Sequence, residues 1–169
     1  MRALVERYRG QVFGLCYRML GHRQDAEDTA QETSVRVLKH LNRWDPGRDF
    51  EPWLLAVAGN RCRTVLASRR KRAVPQRLDC DLPDESADPW GARNLAEEVQ
   101  RSLAELRTDY RQAFILFHEH ELSYAEIAET MACPVGTVKT WVHRARKQLF
   151  TRLRQRGVVE EPQSAVQRV

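Results

Sequence analysis

Apolar positions recur every three to four residues along most of the chain, and no segment alternates cleanly at period two. That rhythm predicts an all-α protein. Over about Arg2–Leu20, Leu4, Tyr8, Val12, Leu15 and Met19 share one stripe, and Gly21 stops it. A second helix, about Gln24–Leu41, follows Ala26, Ala30, Thr33, Val37 and Leu41. Asn42–Asp49 carries Asp45-Pro46-Gly47, which is turn chemistry. A third helix, about Phe50–Arg72, tolerates Pro52 in its first turn and runs out into Arg69-Arg70-Lys71-Arg72. The helical period returns over about Gly91–Leu106, through Leu95, Val99, Leu103 and Leu106. It continues at Asp109–His120 and in two further helices from Ser123.

Between the third and fourth helices the composition changes. Ala73–Pro89 holds Pro75, Pro83 and Pro89, and five acids crowd into Asp79–Asp88. A stretch so polar and proline-rich reads as a solvated linker. The pattern therefore predicts two small helical domains, 1–72 and 91–156, joined by a flexible acidic linker over 73–90 and followed by a tail over 157–169.

Composition narrows the partners. The 169 residues are 42% hydrophobic and 30% charged, with a formal net charge of +5, a balance that favours anionic partners. The charge is segregated: no Asp or Glu occurs from Thr130 to Val159. No apolar run reaches the ~18 residues that would span a bilayer. Glu6, Arg7 and Arg9 interrupt any signal-peptide core, so membrane insertion is not expected and the chain is expected in the cytoplasm. Cys16, Cys62, Cys80 and Cys133 show no Cys-x-x-Cys spacing and read as reduced thiols; Cys80, in the linker, is a weak candidate for a redox handle. His118 and His120 diverge by about 200° on a helix and share no metal. With no Gly-rich phosphate loop and no nucleophile–base pair, nothing argues for an enzyme, a metal or a cofactor.

The C-terminal helix pair carries the clearest chemistry. Ser123-Tyr-Ala-Glu126 is a capping box opening a short helix with Ile127, Ala128 and Met131, and Ala132-Cys133-Pro134 ends it. The next helix starts near Val135. So short a turn, with the small Ala128 at the crossing, reads as a helix-turn-helix. At about 100° per residue, Val138, Val142, Ala145 and Leu149 fall on one face, with Trp141 at its edge. Lys139, Thr140, His143, Arg144 and Lys147 lie opposite, a cationic and hydrogen-bonding face suited to a DNA major groove.

In the N-terminal half, Asp25, Glu27 and Asp28 complement a helix dipole. Gln31 and Glu32 lie beyond that first turn and, with Asp28 and Val35, form a second stripe apart from the core stripe, as in a helix with a partner. Trp53 joins the Phe50–Leu54–Val57 core stripe, while Trp44 is a loop aromatic near the basic third helix. Asn60 suits a hydrogen-bonding role, and Arg61, Arg63, Arg69, Arg70, Lys71 and Arg72 are more cations than a helix end requires.

Taken in order, DAEDTAQE, FEPWLLAVAGNRCRTVL with its basic end, the acidic linker and LAELRTDYRQAFILFHEHELSYAEIAETMACPVGTVKTWVHRARKQL resemble a bacterial extracytoplasmic-function sigma factor of RNA polymerase, over about residues 4–154. The resemblance implies that the N-terminal module binds the clamp helices of the largest polymerase subunit through Asp25, Asp28, Gln31 and Glu32, and that the C-terminal module meets the flap region. It implies that Trp44, Asn60, Arg61, Arg63, Arg69 and Arg70 face the melted minus-ten promoter element. It places Thr137, Lys139, Thr140, His143, Arg144 and Lys147 on the minus-thirty-five element. An anti-sigma factor belongs to the same expectation. Thr64 and Ala67 stand where many relatives carry an acid and an arginine, and Trp141 where a basic residue is frequent, which bears on the promoter sequence and not on the role. The alternative is a helix-turn-helix regulator with an N-terminal sensor or dimerisation module. A recombinase is more remote, because it needs a nucleophilic Ser or Tyr among clustered arginines.

Overall fold

A computed structural model describes residues 2–72 and 92–159 of the chain. They form α1 (Arg2–Leu20), α2 (Arg23–His40), a 3-10 turn (Leu41–Arg43), α3 (Phe50–Arg72), α4 (Ala92–Ala104), α5 (Thr108–His118), α6 (Tyr124–Met131) and α7 (Val135–Gln155), with no strand among the described residues. The linker predicted over 73–90, with Cys80, and the tail from 160 onward lie outside the described residues.

Helix ends follow local chemistry. Gly21 takes φ +73° and ends α1, its N–H returning to the Tyr17 carbonyl at 2.9 Å. The carbonyls of the last turn of α1, which a helix end leaves short of backbone donors, accept from side chains of other helices. The Gln100 amide on α4 donates to Tyr17 and Arg18, Arg111 on α5 donates to Met19, and Arg69 on α3 donates to Leu20. One helix terminus thus ties both halves of the chain together.

The apolar core does the same. Leu15, Met19, Val37, Leu55, Ala58 and Cys62 of the N-terminal half are continuous with Ile115, Leu116, Ile127, Val138 and Val142 of the C-terminal half. A second cluster, Leu103, Leu106, Tyr110, Ala145 and Leu149, holds α4, α5 and α7 together. Hydrophobic periodicity marks the helices of each half but does not show that they share a core. The contact depends on Gly59 in α3, where a Cβ would overlap the Gln112 amide of α5.

The turn between α6 and α7 carries strain. Ala132 caps α6 with φ +51°, in the left-handed region where helices commonly place glycine, and it is exposed. Ala132→Gly is expected to stabilise the fold by about 0.5–1 kcal/mol, the relief of Cβ strain outweighing the added freedom of the unfolded chain. Thermal unfolding followed by circular dichroism checks this, and an unchanged or lowered midpoint contradicts it.

Candidate nucleic-acid interface

The capping box forms as its residues require. The Ser123 hydroxyl accepts the Glu126 N–H at 3.2 Å, and the Glu126 carboxylate accepts the Ser123 N–H at 2.7 Å. Hydrogen bonding of the Glu126 carboxyl to the Ser123 side chain and backbone N–H holds it below its usual range. Beyond the turn, α7 buries Val138, Val142, Ala145 and Leu149. Lys139, Thr140, His143, Arg144 and Lys147 are exposed, and Thr137 is half-buried in the first turn.

Two of the exposed cations rest on aromatic supports. One Arg144 guanidinium nitrogen donates to the Tyr110 hydroxyl at 3.0 Å, a bond that lowers the Tyr110 pKa. The Lys139 ammonium lies 5.8 Å from the Tyr124 ring centre, and Tyr124 stacks on Phe117 at 4.7 Å. The Thr140 hydroxyl donates to the Gly136 carbonyl at 2.9 Å, which leaves its oxygen able to accept. Periodicity places the exposed cationic face of α7 but not Tyr110, which lies 34 residues from Arg144 in the chain.

On α2 the four acid and amide candidates separate. Ala26, Thr29, Ala30, Thr33 and Val37 face the core. Gln24, Asp28, Gln31, Val35 and Leu38 form an exposed stripe, with Val35 and Leu38 47% and 48% exposed. Asp25 and Glu32 turn toward α3 instead. Asp25 pairs with Arg69, and Glu32 pairs with Arg61 at 2.6 Å and with Arg36 at 3.3 Å. Leu38 continues the stripe one helical turn beyond Val35 and belongs with it on spacing alone.

Four cations of α3 are engaged. Besides the Arg61 and Arg69 pairs, Arg63 lies 3.5 Å from the Asp109 carboxylate, and Arg70 donates to the Thr108 hydroxyl at 3.2 Å. Asn60 is exposed. Trp44 is half-buried, edge-on to Phe50 at 5.3 Å, and its indole N–H donates to the Arg48 carbonyl at 3.1 Å, so it braces the loop. Between this loop and α6 lies a cleft of about 780 Å³ lined by Trp44, Arg48, Trp53, Glu126, Glu129 and others. On its loop side Arg48 pairs with Glu129 at 3.1 Å. Desolvation raises the pKa of nearby Glu51, and Glu126 and Asp49 add to the effect. No described helix is long and apolar enough to cross a membrane.

Two family descriptions match the chain: Sigma-70 region 2 over residues 4–72, and Sigma-70, region 4 over residues 96–149. The ECF RNA polymerase sigma factor SigW of Bacillus subtilis (strain 168) is 32% identical over 166 residues, 89% of this chain and 87% of that protein. Among solved structures, CnrH in complex with the cytosolic domain of CnrY superimposes with a TM-score of 0.68 at 26% identity, over 90% of this chain and 86% of that one. The sigma factor RpoE in complex with the anti-sigma factor NepR from Bartonella quintana has the same fold, with a TM-score of 0.71 at 21% identity over 90% and 96% of the two chains.

Proposed function

We propose the function from one premise: the chain belongs to the extracytoplasmic-function sigma factors of the sigma-70 family. It is a detachable, non-catalytic specificity subunit that binds core RNA polymerase in the cytoplasm and directs initiation at particular promoters. The exposed stripe of α2, with Asp28, Gln31, Val35 and Leu38, docks on the clamp helices, and Asp25 and Glu32 support it from the α3 side. The C-terminal module contacts the flap region. The carrying observation is the separation of two surfaces: an acid-and-apolar stripe on α2, and a reading face on α7 within a segment free of Asp and Glu.

The chemistry is binding alone. Lys139, Thr140, His143 and Arg144 enter the major groove of the minus-thirty-five element, with Thr137 and Lys147 toward the phosphates. Arg61, Arg63, Arg69, Arg70, Asn60 and the Trp44 loop hold the separated non-template strand at the minus-ten element. Opening a base step costs a few kcal/mol, which capture of an unstacked base and cations along the strand offset without hydrolysis. An anti-sigma factor holds the chain inactive, in keeping with the bound partner in the RpoE structure of the same fold.

Retention of the chain by immobilised core polymerase without DNA tests this reading. A helix-turn-helix regulator instead ignores the polymerase and binds duplex DNA alone.

The Tyr110 support of Arg144 gives a finer expectation. Tyr110→Phe keeps the ring and removes the hydroxyl that holds one guanidinium nitrogen. Discrimination at one upstream base position should fall roughly three- to tenfold while affinity for unrelated duplex stays unchanged. Discrimination unchanged in Tyr110→Phe but lost in Arg144→Ala removes Tyr110 from the reading apparatus.

A further inference from the structure

Cys16 on α1 and Cys62 on α3 lie 46 residues apart in the chain, yet their sulfur atoms are 3.7 Å apart. Both side chains are fully buried, in the apolar cluster that holds Leu15, Met19, Leu55 and Ala58. One helix register brings them together. Toward the start of α3 the Tyr8 and Phe50 rings meet at 5.4 Å, and toward its end Arg69 donates to the Leu20 carbonyl at 3.0 Å. The sulfur pair falls between these two contacts, so α1 and α3 run side by side, and sliding one along the other breaks one of them.

Two thiols that face each other in an apolar core can pack as small hydrophobes, hold a metal ion or form a disulfide. A metal ion takes them as thiolates, and among the described residues no third ligating side chain joins them. The hydrogen bond with Cys62, and then burial, push the Cys16 pKa up, so the charged forms that a metal requires are disfavoured there. A disulfide is neutral and fills much the same apolar volume. Its formation needs the sulfurs to close from 3.7 Å to about 2.05 Å, a movement that side-chain rotation and a slight approach of the helices supply.

We infer that Cys16 and Cys62 form a modification site, at which hydrogen peroxide converts the pair to an intramolecular disulfide that staples α1 to α3. One sulfur attacks a peroxide oxygen as its thiolate; the O–O bond breaks, and the departing hydroxide takes up the proton that the thiol lost. The second sulfur attacks the resulting sulfenic acid, and its proton leaves with the displaced hydroxyl as water. The two thiols together lose two electrons and two protons, and the peroxide becomes two waters. Because both thiols are buried and hold their protons, the reaction is slow and follows local separation of α1 from α3. Under reducing conditions the pair stays as thiols. The closed loop spans all of α2, so the bond restricts the unfolded chain and stabilises the N-terminal half. No cysteine lies in α2 or α7, so the exposed stripe and the cationic face keep their side chains unmodified.

The test uses the full chain with Cys80→Ser and Cys133→Ser, which leaves only the pair, and circular dichroism checks its helices. The reduced protein is exposed to excess hydrogen peroxide, quenched with catalase and assayed for thiols in denaturant. The expected result is loss of both thiols together and a non-reduced tryptic peptide that joins Cys16 to Cys62. The same linked peptide is expected from the wild-type chain, which keeps the test decisive if that background folds poorly. Thermal unfolding then compares the oxidised protein with the same sample after dithiothreitol, which opens the disulfide and leaves any methionine sulfoxide in place. The oxidised form should unfold at least about 5 °C higher. Cys62→Ser in the same background should give no linked peptide and no change of midpoint on reduction. Recovery of both thiols from the folded chain, under an exposure that links the urea-unfolded chain, overturns the proposal and leaves the pair as core packing. A midpoint that does not fall on reduction overturns it too. So does a dithiothreitol-sensitive midpoint that survives Cys62→Ser, because the effect then comes from chains joined to one another.

Discussion

Asp28→Arg combined with Leu38→Asp is expected to abolish binding to core RNA polymerase and leave the fold intact. Both side chains are exposed on the α2 stripe and face away from Ala26, Ala30, Thr33 and Val37. Asp28 accepts a bond from Gln24, one turn earlier on the same helix, so its replacement breaks no tertiary hydrogen bond or ion pair among the described residues. Exposed substitutions of this kind change stability by about 0.5 kcal/mol or less. At a docked interface the same changes place a like charge and a desolvated carboxylate where an acid and an apolar side chain were accommodated. A loss of at least about 100-fold follows if each removes roughly 1.4 kcal/mol. Glu32 is a poorer probe, because its removal leaves Arg61 without the carboxylate 2.6 Å away and disturbs α3 as well. Titration of labelled core with the double variant checks the assignment. Unaltered core affinity would move the polymerase contact off this face of α2.

The largest stability effect is expected at Arg111. It is 6% exposed and donates to the carbonyls of Met19, Ala104 and Leu106, joining the ends of α1 and α4. Burial, with Arg70 and Arg69 nearby, pushes its pKa down to about 10, so it stays protonated at neutral pH. Arg111→Met keeps much of the volume and strips those carbonyls of their donor. The expected cost is about 3 kcal/mol or more, the scale of breaking a buried charged network. The unfolding midpoint should fall by roughly 10 °C. Arg111→Lys should recover little, since a point charge on a flexible stem does not reproduce the planar fork. A midpoint lowered by less than about 3 °C for Arg111→Met would show that the carbonyls find other donors.

Much of this architecture can be read from spacing. Gly21 and the Arg2–Leu20 stripe mark the end of α1, and the Phe50–Arg72 segment coincides with α3, because helix limits depend on local chemistry. The two faces of α7 follow from the 3.6-residue period, which sorts Val138 and Val142 from Lys139 and His143 without tertiary information. The left-handed backbone of Ala132 is a finding of the structure, since Ala132-Cys133-Pro134 in the sequence marks only the end of α6.

Other features depend on contacts between distant segments. Periodicity gives no reason to bury Arg111 and Gln112, which occupy polar positions in a short helix; only the arrival of α1 and α3 buries them. The α2 candidates share a helix and a chemistry, yet Asp25 and Glu32 are drawn to Arg69 and Arg61 while Asp28 and Gln31 stay exposed. That sorting depends on how α3 lies across α2. The pairing of Arg63 with Asp109 joins residues from the two halves, and no local rule anticipates it.

The most direct measurement is mapping of transcript starts on genomic DNA with purified core polymerase, in the presence and absence of this protein. The account predicts new starts that depend on the protein and share two upstream sequence elements at a fixed separation. They should disappear with Asp28→Arg and Leu38→Asp, and their upstream element should lose specificity at one position with Arg144→Ala. The same set of starts with and without the protein would contradict it.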